Sequence, residues 1–219
     1  MLTSGRRDRA QKVVAYLKRA YPTPKSELKY KTQFQFLVSV VLSAQCTDRV
    51  VNRVTVPLYK KYKTARDFAK ANRTIFRKEI SSIPFFRNKT KAILATAKII
   101  ARDFDGKIPR TASALVALPG IGYKTAHVIL GELYNQWEGI PTDTHVKRFA
   151  RRFDLSDNTD LQKISHDLER LIPKKDWKYV NNGWVLYGRY VCPARPHECA
   201  KHPLTKLWPK AAKIWLKTT

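Results

Sequence analysis

Apolar residues return every three or four positions along nearly the whole chain, and that period leaves little choice of fold. Val13, Val14, Leu17 and Tyr21 share one helix face in RDRAQKVVAYLKRAY, and Ile93, Ala97, Ile100 and Phe104 share another in NKTKAILATAKIIARDF. Similar segments follow one another: QFQFLVSVVLSA, apolar enough to be a buried helix; DRVVNRVTVPLYKKY, which Pro57 is expected to bend or end; then TARDFAKAN, NRTIFRKEISSI, TASALVALP and KTAHVILGELY. THVKRFARRFDL, TDLQKISHDLERLI, WKYVNNGWVLYGRYV and a short terminal LTKLWPKAAKIWLK complete the series. No period-two runs flank Asn-Gly turns between them. An all-α protein of about ten helices joined by short turns is expected.

Charge says what such a fold meets. Forty-three Lys and Arg against seventeen Asp and Glu give a net charge of +26, far more than solubility needs, which points to a polyanionic partner. Any one basic run is explained by a solvated helix face. Here, however, GRRDRAQK, YKKYK, FRNKTK, VKRFARRF, PKKDWK and KLWPKAAK are spread over the chain and interleaved with aromatics, as on a folded basic face rather than a tail. No segment approaches the ~20 apolar residues of a membrane span, and MLTSGRRDRAQK has charge but no apolar stretch behind it. A soluble, cytoplasmic, monomeric protein without a membrane partner is expected. Three cysteines, Cys46, Cys192 and Cys199, with no secretory signal, argue against a disulfide framework.

The segment TASALVALPGIGYKTAHVILGELY carries the most chemistry. Two short helices flank PGIG, whose glycines accept positive φ and allow a close backbone approach. The second helix then presents unpaired N–H groups and the positive end of its dipole, a setting that suits phosphate. An ordinary helical hairpin with a glycine turn accounts for the segment as well. Lys124, in the first turn, is either one more surface cation or a nucleophile whose amine is partly neutral among other cations. A lysine amine that attacks a sugar C1′ forms a Schiff base, and it needs a carboxylate to assist proton transfer. Asp143 in IPTDTHVKRF stands where a helix begins, so that capping and catalysis are both open to it.

LPGIGYKTA followed by PTDTHVKR resembles the helix-hairpin-helix and following Gly/Pro-rich loop of the endonuclease III-type DNA glycosylases. FLVSVVLSAQCTDRVVNRVTVPLY, IPFFRNKTKAI and WVLYGRYVC are similar to other segments of that family, so the resemblance covers roughly residues 30 to 200. Adenine-specific mismatch relatives carry Ser at the lysine position and thymine-mismatch relatives carry Tyr. Lys124 therefore places the chain with the bifunctional glycosylase/AP lyases. The resemblance implies that Lys124 is the Schiff-base nucleophile and Asp143 the essential carboxylate. Gln45 would fill the hole left by the extruded nucleotide, Phe85 would wedge into the opposite strand, and Gly120, Ile121 and Gly122 would offer N–H groups to phosphate. A base-flipping enzyme needs such plugs, because unstacking costs a few kcal/mol.

The resemblance further implies two helical domains with a DNA-binding cleft between them. One is continuous over 31–139 and contains the hairpin; the other joins 1–30 to 140–219, with a degenerate cluster loop at 192–208. The partner is double-stranded DNA with damaged bases or abasic sites. Removal of oxidised pyrimidines followed by β-elimination is the expected activity. The alternatives are a non-catalytic helix-hairpin-helix DNA-binding protein and a glycosylase for another lesion, such as 8-oxoguanine or mismatched uracil or thymine.

The loop CPARPHECAKHPLTKLW departs from the family. Four thiolates spaced Cys-x6-Cys-x2-Cys-x5-Cys hold the family's [4Fe–4S] cluster. Here Cys192 and Cys199 match the first two, His202 stands third and Trp208 fourth. No cofactor and no iron–sulfur cluster are expected. Two reduced thiols held by packing around Trp208 are preferred to a zinc site of Cys192, Cys199, His202 and His197, since His197 precedes Cys199 by only two residues, an awkward chelate spacing.

Overall fold

The computed structural model describes residues 4–214; Trp215, Leu216 and Lys217 of the expected terminal segment lie outside them. The described residues form twelve α-helices and two 3-10 helices, without a strand. They divide into two compact units, one running to Lys25 and resuming at Trp137, the other spanning Ser26–Gln136.

The first unit opens with α1 (Ser4–Ala20), whose Ala10, Val13, Val14 and Leu17 are buried, the face expected from their spacing. The second unit holds α2 (Gln33–Ser43), α3 (Asp48–Lys61), α4 (Ala65–Ala69), α5 (Arg73–Glu79), α6 (Phe86–Asp103), α7 (Ala112–Val116) and α8 (Tyr123–Tyr134). Helix α2 is its centre: every residue from Phe34 to Leu42 is buried, and it packs on α3, α6 and α8. Thr32, Thr64, Asn72 and Thr111 cap α2, α4, α5 and α7 through their side chains, so local hydroxyl and amide chemistry sets where these helices start. Helix α3 does not break at Pro57 but continues to Lys61. The carbonyl that Pro57 leaves without an N–H belongs to Arg53, an exposed residue open to solvent.

The first unit resumes with α9 (Thr144–Arg152), α10 (Leu161–Leu171), a 3-10 helix at Lys174–Tyr179, α11 (Asn181–Tyr190), α12 (Pro203–Leu207) and a second 3-10 helix at Pro209–Lys213. Phe149, Phe153, Trp184 and Tyr187 fill its core around Leu17 and Leu168. Gly188 lets α11 lie against α9, since a Cβ there would overlap His145 and Arg148.

Candidate active site

The hairpin is built by α7, the turn Pro119–Gly122 and α8. Gly120 has φ +78°, and a Cβ on it would lie 2.6 Å from Ala92 Cβ on α6, so this position needs glycine both for its backbone and for its contact. Thr96 Oγ1 donates to Pro119 O at 2.9 Å and ties the turn to α6. The side chain of Ile121 is buried in the core, which anchors the turn, while Gly122 is exposed and begins α8 without a side-chain cap. The first N–H groups of α8 are thus not taken by a capping side chain. Lys124 stands in this first turn, half-buried. Beside it the Tyr123 and His127 rings stack at 4.1 Å, and His127 Nδ1–H donates to Tyr123 O at 2.9 Å.

Gln45 and Phe85 occupy a second region of the same unit. Both are exposed, Phe85 by 60%, and both have left-handed backbones, φ +54° and +57°. Positive φ on a bulky residue is unfavourable and persists only where the surroundings enforce it. Lys89 supplies part of that enforcement. Its backbone N–H donates to Phe85 O at 3.0 Å, and its ammonium donates to Leu42 O at 2.8 Å and Ala44 O at 2.6 Å, so one residue ties the Gln45 turn to the Phe85 turn. Burial lowers the Lys89 amine below the usual lysine value.

Asp143 lies in the other unit, as the N-cap of α9. Its Oδ1 accepts from His145 N at 2.9 Å and Val146 N at 3.0 Å, and Oδ2 is left outside the cap. The segment leading to it is held at every step. Ile140 N–H donates to Glu169 Oε1, Ile140 O accepts from Ser165 and Thr142 hydroxyls, and Pro141 O accepts from Asn181 Nδ2 at 2.7 Å. Burial alone would raise the Glu169 carboxyl, but hydrogen bonds from Ser165, Ile140 N–H and His166 outweigh it and hold the group below its ordinary value. Lys89, Glu169, Ser165 and Asn181 were not singled out from sequence, since each reads there as an ordinary polar helix residue.

The expectation of a loop without a cofactor is corrected here. Cys192, His197, Cys199 and His202 each place one ligand atom within 4.8 Å of the other three, a group able to hold a metal. The short His197–Cys199 spacing does not prevent this, because the extended loop turns the His197 ring to stack on His202 at 5.1 Å. The donors are two thiols and two imidazoles. Arg152, buried beneath them, donates to Cys192 Sγ at 3.0 Å and Cys199 Sγ at 3.1 Å, and twice to Ala211 O.

The chain matches known proteins over most of its length. Residues 38–174 match the family described as HhH-GPD superfamily base excision DNA repair protein. Endonuclease III of Synechocystis sp. is 39% identical over 208 residues, covering 95% of each chain. Endonuclease III of Bacillus subtilis is 38% identical over 188 residues, covering 85% of each. Among solved structures, a trapped endonuclease III–DNA covalent intermediate superposes with a TM-score of 0.87 at 32% identity, covering 97% of this chain and 99% of that one. A thermostable thymine-DNA glycosylase, 19% identical with a TM-score of 0.80, shares the fold. No helix among the described residues is long and apolar enough to cross a membrane.

Proposed function

Because the chain belongs to the HhH-GPD superfamily of base excision DNA repair proteins, in its endonuclease III group, we propose that Lys124 and Asp143 carry its chemistry and that oxidised pyrimidines are its substrates. The protein is a DNA glycosylase with AP lyase activity, and DNA is its partner. Its place is with the chromosome in the cytoplasm.

The Lys124 amine attacks C1′ of the extruded nucleotide, the C1′–N bond breaks, and the base leaves with the bonding pair and takes up a proton. Opening of the sugar ring gives a Schiff base between Lys124 Nζ and C1′. Loss of a C2′ proton then expels the 3′ phosphate by β-elimination. Asp143 serves as the proton acceptor of the reaction and balances the positive charge that develops on the sugar. Its cap holds one carboxylate oxygen fixed and leaves Oδ2 for this work. The first N–H groups of α8 and the Gly120–Gly122 turn bind backbone phosphate, Gln45 fills the vacated stack, and Phe85 wedges the opposite strand.

The observation that carries this reading is the position of Lys124, half-buried in the first turn of a helix whose start has no side-chain cap. Denaturing gels of duplexes carrying thymine glycol, dihydrouracil, uracil or 8-oxoguanine test it. The wild type should cleave the oxidised-pyrimidine strands, and Lys124→Ala should not. Equal cleavage by that variant, or preference for 8-oxoguanine, contradicts the assignment.

A further inference from the structure

We propose that Cys192, His197, Cys199 and His202 hold one tetrahedral metal ion of the zinc class. It is a structural centre that closes the 192–202 loop on itself above Arg152 of α9, and it is independent of the roles given to Lys124 and Asp143.

Four observations converge on it. The first is distance. A tetrahedral ion with bonds of about 2.0–2.3 Å places its ligand atoms roughly 3.3–3.8 Å apart. The four atoms here already lie within 4.8 Å of one another, so that closing on one ion takes about an ångström of side-chain movement. The second is chemistry: two sulfurs and two imidazole nitrogens are a donor set that zinc takes in closed structural sites.

The third is the state of the imidazoles. His197 Nδ1–H donates to Arg195 O at 2.8 Å, which fixes the tautomer whose Nε2 carries the lone pair. This is the arrangement in which a backbone carbonyl orients a metal-binding histidine. His202 Nδ1 is buried with no hydrogen-bond partner, a cost that a metal bond removes.

The fourth is the support behind the sulfurs. Cys192 and Cys199 are buried, at 1% and 2% exposure, and the Arg152 guanidinium donates to both. Metal-bound thiolates carry negative charge, which the guanidinium donating to both sulfurs complements. Binding releases the two thiol protons to solvent as the two S–metal bonds form. The ion then closes a loop that lacks regular secondary structure between Val191 and α12.

The full-length protein, stripped with a chelator under reducing conditions and titrated with Co(II), tests this. The expected result is saturation at one Co(II) per chain, with the intense visible bands of tetrahedral cobalt and a thiolate-to-cobalt charge-transfer band, both abolished by one equivalent of Zn(II). Untreated protein should contain one metal ion per chain and no acid-labile sulfide. His202→Ala should weaken Co(II) binding by at least about a hundredfold, with its helical circular dichroism as the check on folding. Octahedral cobalt, sub-stoichiometric metal, or iron accompanied by sulfide overturns the proposal. None of these readouts depends on glycosylase activity.

Discussion

The ammonium of Lys89 lies 2.6 Å from the carbonyl oxygen of Ala44. That bond, with the one to Leu42 O, ends α2 just before Gln45, while the Lys89 N–H holds Phe85 O at the start of α6. Two exposed side chains assigned to opposite strands of the DNA are therefore positioned by one buried residue. Lys89→Met keeps the length of the stem but leaves two carbonyls without their donor, at a cost of about 1–3 kcal/mol. In steady-state assays on a damaged duplex we expect KM to rise about tenfold while kcat changes by less than threefold. An unchanged KM would separate Lys89 from the DNA-contacting turns.

Asp143 both caps α9 and is assigned a proton-transfer role, and substitution separates the two. Asparagine caps as well as aspartate does, so Asp143→Asn should unfold within a few degrees of the wild type while turnover falls by about a hundredfold or more. Asp143→Ala should lose the same activity together with about 1 kcal/mol of stability. Wild-type turnover in the asparagine variant, measured beside its melting curve, would make Asp143 a cap alone.

Gly120 is constrained twice, by φ +78° and by Ala92 Cβ. Gly120→Ala should cost about 2–4 kcal/mol, the sum of backbone strain and overpacking, read from urea unfolding. In the double variant with Ala92→Gly only the packing part should return. Full recovery would mean that the turn does not need a left-handed residue.

Much of this was written in local sequence, and what was not has physical reasons. The helical period marked Val13, Val14 and Leu17 as a buried face, and PGIG marked the turn that Gly120 makes. Charge runs were less informative, because a run does not say which of its members turns inward. FRNKTK contains Lys89 and VKRFARRF contains Arg152, two buried cations that serve carbonyls and sulfurs rather than phosphate. Chelate spacing misjudged the 192–202 loop for a related reason. Spacing rules suit ligands on regular elements, whereas an extended loop can stack His197 on His202 across the sequence gap. The rigid approach to Asp143, made by Ser165, Glu169 and Asn181, joins residues from three segments and has no local signature.

Glu169 gives the fold a pH dependence of known sign. Its folded carboxyl is held below the ordinary value of 4.5, so its contribution is fully present above that value and is lost as pH falls through the folded value. Thermal unfolding between about pH 3 and pH 6 should show a steeper acid loss in the wild type than in Glu169→Gln. Parallel curves would remove Glu169 from the acid transition.

Lys124 is assigned the covalent Schiff base with the abasic sugar. Borohydride reduction during incubation with an abasic-site duplex should trap one protein–DNA adduct of one-to-one stoichiometry, and Lys124→Ala should leave none while retaining salt-sensitive duplex binding. Absence of an adduct with the wild type, or an undiminished adduct with the variant, would contradict it.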